Sequence, residues 1–266
     1  MNWIMDKRIA LVTGGSQGIG RCLCIKLTGE GYEVFSASRS KSLPEDMAGI
    51  TQIPVDFSST DQTINFAKDF IDQYGVPDLL VNNAGYGAFY EWGEYPDSEI
   101  TKQFDVLLSS PIRLCRIFAP AMQKKGRGVI LNVSSLATLF PLPFMPMYNA
   151  AKSALSSFTA SMILEYQKFP KFIDFRMGDV ETDFNRSAST QAELSGASKN
   201  AWEKIEKQLE NSISPEQATD QILYRIRQNR EGTFFGGTWF HAFFLPYIYR
   251  FFPASLRTFF LRLWYR

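Results

Sequence analysis

The chain has 266 residues, 45% of them apolar, with 28 Lys and Arg against 27 Asp and Glu. That length suits one large α/β domain or two small ones, and a formal charge of +1 gives no electrostatic reason for nucleic-acid binding. The three cysteines, Cys22, Cys24 and Cys115, are neither a disulfide framework nor spaced for zinc, which fits a reducing, cytoplasmic setting.

Met1 to Arg8 is too short and polar for a secretory signal, and Ile9-Ala10-Leu11-Val12 reads as a first strand. Short apolar runs bounded by glycine or polar residues predict strands at 8–13, 33–37, 51–55, 78–82, 128–133 and 172–176. Helical periodicity falls near 18–30, 60–74, 97–124, 147–168 and 215–229. This alternation predicts a parallel sheet covered on both faces, with ligands beyond the carboxyl ends of its strands. The polar stretch 183–214 interrupts the alternation and carries one amphipathic run around Trp202, Ile205 and Leu209. It reads as a substrate lid or as a plain surface insertion.

Thr13-Gly14-Gly15-Ser16-Gln17-Gly18-Ile19-Gly20 lies between the first strand and the first helix. Glycines there allow a tight turn and close approach of a pyrophosphate, and the helix N-terminus supplies free N–H groups. The second strand ends at Ala37-Ser38-Arg39 with no acidic residue to accept from an adenosine ribose. Arg39 is instead suited to a 2′-phosphate, with Ser16 adding a hydroxyl, or it is an ordinary surface charge. Asp56, closing the third strand, is placed to face an adenine amine.

Tyr148-x-x-x-Lys152 puts a phenol and an ammonium on one helix face, with Ser135 thirteen residues before the tyrosine. A neighbouring cation favours phenolate, so the pair is expected to make Tyr148 a proton donor and acceptor nearer neutrality.

Together these residues resemble the short-chain dehydrogenase/reductase family in its small single-domain form, from about residue 7 to 230. The matching pieces are the turn at Thr13–Gly20, Asn82-Asn83-Ala84-Gly85, Asn132-Val133-Ser134-Ser135, Tyr148-Asn149-Ala150-Ala151-Lys152 and Gly178-x-Val180-x-Thr182. The resemblance implies a Rossmann-type, doubly wound α/β/α sandwich. It makes Tyr148 the general acid of ketone reduction, Lys152 a partner of the nicotinamide ribose, and Ser135 the group orienting the carbonyl. It places Gly14, Ser16, Gln17, Gly18, Ile19, Gly20, Arg39, Asp56, Asn83, Ala84, Gly85, Gly178, Val180 and Thr182 around the cofactor, with Asn82 more structural. Two positions depart from the family pattern. Leu107 stands where an asparagine usually holds a water feeding the lysine, and leucine neither donates nor accepts. Met177 replaces a proline before Gly178 and is expected to add flexible apolar surface on the substrate side.

Leu136 to Pro146, and Tyr86, Phe89, Tyr90 and Trp92, give apolar loops on either side of the catalytic motifs. They suit a hydrophobic ketone, or they simply pack the loops together. From Gly232 to Arg266 there is no Asp, Glu or Lys, but there are arginines at 250, 257, 262 and 266 and many aromatics. In the last segment Leu256, Phe259, Phe260, Leu263 and Trp264 share one helical face, with Arg257, Arg262 and Arg266 opposite. This suits either a membrane interface or packing on the domain or across a dimer.

The expected organisation is a catalytic domain at 1–231 followed by an aromatic-rich helical extension at 232–266. The expected activity is NADP(H)-dependent hydride transfer to or from a hydrophobic ketone or secondary alcohol of fatty-acyl, sphingoid, steroid or retinoid type, with NAD(H) the less favoured cofactor. The competing expectation is a catalytically weak NADP(H)-binding scaffold or sensor. No metal is expected. The expected state is a homodimer or larger homo-oligomer, cytoplasmic or on the cytoplasmic face of a membrane.

Overall fold

The computed structural model describes residues 7–182, 189–190, 193–194 and 196–265. Strands β1 (Ile9–Thr13), β2 (Glu33–Ser38), β3 (Thr51–Pro54), β4 (Leu79–Asn82), β6 (Val129–Ser135) and β7 (Lys171–Met177) match the predicted strands. Two short strands, β5 (Ala88–Phe89) and β8 (Ser189–Thr190), pair with each other outside the main sheet. A strand missing from the sequence reading, β9 (Gly232–Gly236), pairs parallel to β7. The sheet is seven-stranded, in the order β3-β2-β1-β4-β6-β7-β9. The extension therefore begins after Gly236, because the first residues beyond 231 complete the sheet.

Helices α1 (Gly18–Gly29), α2 (Thr60–Tyr74), α3 (Asp97–Phe104), α4 (Ser110–Lys125) and α5 (Pro146–Glu165) are followed by helices Gly196–Glu210 and Pro215–Arg227. The predicted helix at 97–124 is broken at Asp105–Ser109 by a π-helical turn that carries Leu107. Such turns cost regular hydrogen bonding and concentrate near functional sites. The predicted lid at 183–214 is a helix over Gly196–Glu210; 183–188, 191–192 and 195 lie outside the described residues.

Successive strand residues point to opposite faces, so one sheet feeds two cores. Ala10 and Val12 of β1 pack with Leu23 and Leu27 of α1 and with Ile222 and Leu223. Leu11, between them, packs with Phe66 and Phe70 of α2 and Leu114 and Phe118 of α4. Truncating Phe118, which is fully buried, to alanine would cost about 3–5 kcal/mol. The three cysteines are buried and form no disulfide. Thr13 and Asn82 end β1 and β4, neighbours where the strand order reverses, and a ligand crevice is expected there.

Candidate active site

Ser135, at the end of β6, accepts from the Ala137 N–H at 3.1 Å and caps the turn Leu136–Thr138. Its own hydrogen is thereby left to donate. α5 begins with Pro146 in its first turn, where a missing N–H costs nothing, and carries Tyr148 and Lys152 one turn apart. The Asn149 side chain brackets the backbone of Leu142, donating to its carbonyl at 2.8 Å and accepting from its N–H. The loop in front of the catalytic helix is thus tied to that helix. Phe144 in the same loop has φ +60°, a strained conformation for a non-glycine residue.

Ser135 and Tyr148 are hydrogen-bonded. Burial pushes the Tyr148 phenol up to about 12; the Ser135 bond pulls it down and Asp179 raises it further. The phenol thus stands above its ordinary value, where the sequence spacing leads one to expect a fall toward neutrality: burial dominates, and the lowering influence on it is the Ser135 bond. Lys152 is only 5% exposed and donates to the Val133 carbonyl at 2.6 Å. Its Nζ lies 5.9 Å from the Tyr148 ring centroid. Burial drives the ammonium down to about 8, and Asp174 opposes that fall.

Asp174 was not singled out from sequence. It is fully buried and accepts from the Ser134 and Ser156 hydroxyls and from Arg176 Nε, the last at 3.0 Å. Arg176 also donates to Ser156 Oγ at 2.8 Å. The available signal was an acid inside an otherwise apolar strand with an arginine two residues on, on the same face. A lone buried charge there would be prohibitive.

Leu107 is fully buried in its π turn. A Cβ on Gly85 would stand 2.9 Å from Leu107 Cδ2 and 3.9 Å from Lys152 Nζ, so the leucine side chain closes over the space beside the lysine. Met177 does not line the substrate side as expected; it packs with Val133, Val180 and Ile222 in the core on one sheet face.

The glycine turn is crowded in the way a nucleotide cradle requires. Gly14 has φ +66°, and a Cβ on Gly20 would come 2.2 Å from the Gly14 carbonyl. Asn83 Nδ2 donates to the Thr13 carbonyl at 3.1 Å, while Thr13 Oγ1 accepts from the N–H groups of Asn83 and Ala84. Ser16 is half-buried, Gln17 is the N-cap of α1, and Gly18, Ile19 and Gly20 open the helix, their N–H groups without partners inside it. The Ile19 side chain itself packs against the core. The Thr182 methyl lies 3.4 Å from a Cβ position on Gly18, which brings the segment after β7 to this turn. Gly178 N–H is used by the Gly236 carbonyl, and Val180 bridges to Ile213, so these two shape the backbone there.

Arg39 is exposed at the end of β2. Burial raises the Asp56 carboxyl, but the Ser58 N–H and hydroxyl, with Arg39 and Lys102, hold it below the usual carboxylate range. Tyr86 turns from the expected substrate wall: its hydroxyl donates to Glu99 at 2.8 Å and Lys102 sits over its ring. Phe89, Met145, Ala201 and Ile205 form a small apolar core against which Leu142, Phe144, Tyr148, Trp202 and Tyr265 pack. The helix Gly196–Glu210 thus packs in the same cluster as Tyr148, and Trp92 stays exposed.

The family model for short chain dehydrogenases matches residues 8–193. A 3-ketodihydrosphingosine reductase of Bacteroides thetaiotaomicron is 29% identical over 195 residues, 72% of this chain and 71% of that protein. A very-long-chain 3-oxoacyl-CoA reductase of Danio rerio is 31% identical over 174 residues, 59% of this chain but only 53% of that protein. Among solved structures, a short-chain dehydrogenase from Streptomyces avermitilis aligns with a TM-score of 0.79 at 23% identity, covering 88% of this chain and 89% of that one. An L-sorbose reductase from Gluconobacter frateurii, complexed with NADPH and L-sorbose, aligns with a TM-score of 0.72 at 21% identity, covering 89% and 97%. A Burkholderia phymatum member complexed with NAD aligns at 0.77 and 21% identity, covering 88% and 90%.

Proposed function

This chain belongs to the short-chain dehydrogenase/reductase family, and from that premise we propose that it is an NADP(H)-dependent oxidoreductase acting on a hydrophobic ketone or secondary alcohol. The observation that carries the proposal is the convergence of Ser135, Tyr148 and Lys152 at the carboxyl ends of the central strands, beneath an apolar cluster. The nicotinamide supplies or removes hydride. Gly14, Gly18 and Gly20, the first N–H groups of α1, Asn83, Ala84 and Gly85 would hold its nucleotide, and Arg39 with Ser16 would meet a 2′-phosphate. Asp56 would face the adenine, and the Gly178–Thr182 segment the nicotinamide end.

In ketone reduction Ser135 donates a hydrogen bond to the carbonyl oxygen and fixes its position. Tyr148 gives that oxygen a proton as charge develops on it; alcohol oxidation reverses the transfer. A phenol held high by burial is fully protonated at neutral pH, which favours the donor role. Lys152, anchored on Val133, keeps a positive charge one turn away. Phe89, Met145 and Trp202 pack in one apolar cluster with Tyr148, surroundings that suit a hydrophobic substrate. Relatives named for a 3-ketosphingoid base and for very-long-chain 3-oxoacyl groups support a ketone on a lipid chain.

Leu107 motivates a second reading, a nucleotide-binding protein with little turnover. Purified protein, NADPH and a panel of long-chain 3-keto compounds separate the two. NADPH consumption supports the reductase, and tight NADPH binding without consumption supports the scaffold.

A further inference from the structure

The extension after β9 presents its apolar residues outward. Twelve of the sixteen large apolar side chains left exposed among the described residues lie between Trp239 and Trp264. Trp239 is 72% exposed, Phe251 83% and Phe259 59%. In the helix Leu245–Phe251 and the π turn before it, Trp239, Phe243, Phe244, Tyr247 and Phe251 line an open groove.

The last helix, Ala254–Tyr265, has its apolar stripe reversed. A helix folded for its own domain turns that stripe to the core. Here Arg257, Leu261 and Tyr265, one turn apart, are the half-buried positions, while Leu256, Phe259, Phe260, Leu263 and Trp264 are exposed. The inner side is well tied down. Tyr265 packs into the Phe89–Met145–Ile205 cluster, and Lys204 donates to the Trp264 carbonyl at 2.6 Å. Tyr249 meets Phe140 of the substrate loop at a ring distance of 4.8 Å. Arg257 lies on the inner side, away from the exposed apolar face; its guanidinium lies 3.8 Å from the Tyr249 ring centroid, joining the two helices. Docking does not cover the apolar face; it displays it.

Charge selects the occupant. Residues 232–266 hold four arginines and no Asp, Glu or Lys, whereas the other 231 residues hold 24 basic and 27 acidic side chains. A second copy placed face to face would bring like charges together. A bilayer of anionic lipid takes the aromatic side chains into its interface, and the exposed Arg262 of the last helix meets its headgroups. No helix among the described residues is long and apolar enough to cross a membrane. We propose that residues 239–265 are a docking surface for an anionic lipid bilayer, which sets the substrate side of the catalytic domain against the membrane. The reaction this protein catalyses does not enter that claim.

The test is vesicle co-sedimentation of the full chain without substrate or cofactor. Phosphatidylcholine vesicles are compared with vesicles containing about 30% phosphatidylserine, whose surface potential attracts arginine. The wild type should bind the anionic vesicles roughly tenfold better than the neutral ones, and high salt should weaken that preference. Phe259→Glu with Phe260→Glu, both at exposed positions, should abolish binding while leaving circular dichroism and thermal midpoint unchanged. Trp239→Ser with Phe243→Ser should weaken it independently. No binding to anionic vesicles, or equal binding by wild type and both variants, overturns the proposal. So does a wild-type dimer that becomes monomeric in the Phe259→Glu/Phe260→Glu protein while vesicle binding persists, since the face then belongs to a second copy.

Discussion

Lys152 is held on Val133, not on Tyr148: its Nζ donates to the Val133 carbonyl at 2.6 Å and stands 5.9 Å from the tyrosine ring centroid. The lysine's position is therefore fixed by the end of β6, and its charge is set by burial against Asp174. This separates two tasks that the sequence spacing alone merges, placing a cation and tuning a phenol.

The pH profile follows from that separation. Burial lowers the Lys152 ammonium to about 8 and Asp174 opposes the fall, so the cation is present at neutrality and lost as pH rises through that value. kcat/KM for NADPH, which reports the free enzyme, should be level below neutrality and decline above about 8. Asp174→Asn removes the charge favouring the ammonium, and the decline should begin at lower pH. Profiles that coincide would show that Asp174 does not act on the lysine.

The same lysine has a stability signature of defined sign. Its folded value, about 8, lies below its ordinary 10.5, so the unfolded chain binds the proton more strongly and stability rises with pH between those values. Tyr148 acts oppositely: raised from 10 to about 12, it costs stability above pH 10. Denaturant midpoints of wild type and Lys152→Met across this range should differ in slope between 8 and 10.5. Parallel curves would contradict a buried, depressed ammonium.

Arg39 directly follows the end of β2, where an acid would favour NAD(H). Arg39→Ala should weaken NADPH binding about 10- to 100-fold, the worth of a charged hydrogen-bonded contact, and leave NADH binding nearly unchanged. Equal losses measured by titration would refute a phosphate contact.

Leu107→Asn returns a polar group to the space over Gly85 beside Lys152. Burying the amide should lower stability by about 1–3 kcal/mol. If the leucine interrupts the proton supply, the variant should show a higher kcat and a smaller solvent isotope effect. Unchanged values of both would place the proton route elsewhere.

Six sheet strands were legible because each is a short apolar run between glycine or polar breaks. β9 was not: Gly-Thr-Phe-Phe-Gly merges with the aromatics that follow, and only the close approach of Gly236 to Phe175 explains its glycine. Ser135, Tyr148 and Lys152 were legible through spacing on known elements. Asp174 was not, because its partners Ser134, Ser156 and Arg176 meet only after β6, β7 and α5 pack together. The apolar face of the last helix was readable from its period, but its outward orientation and the burial of Tyr265 against the Phe89–Met145 cluster were not. Nothing in the local sequence says which side of a helix another segment will cover.

The most direct measurement is NADPH oxidation, followed by absorbance, by the purified full chain with a long-chain 3-keto compound, alongside Tyr148→Phe. The wild type should consume NADPH and form the secondary alcohol. The Phe variant should bind NADPH normally but lose about 100- to 10,000-fold in kcat, the range for removing a general acid. Full turnover by Tyr148→Phe, or no turnover by a wild type that binds NADPH tightly, would contradict the account.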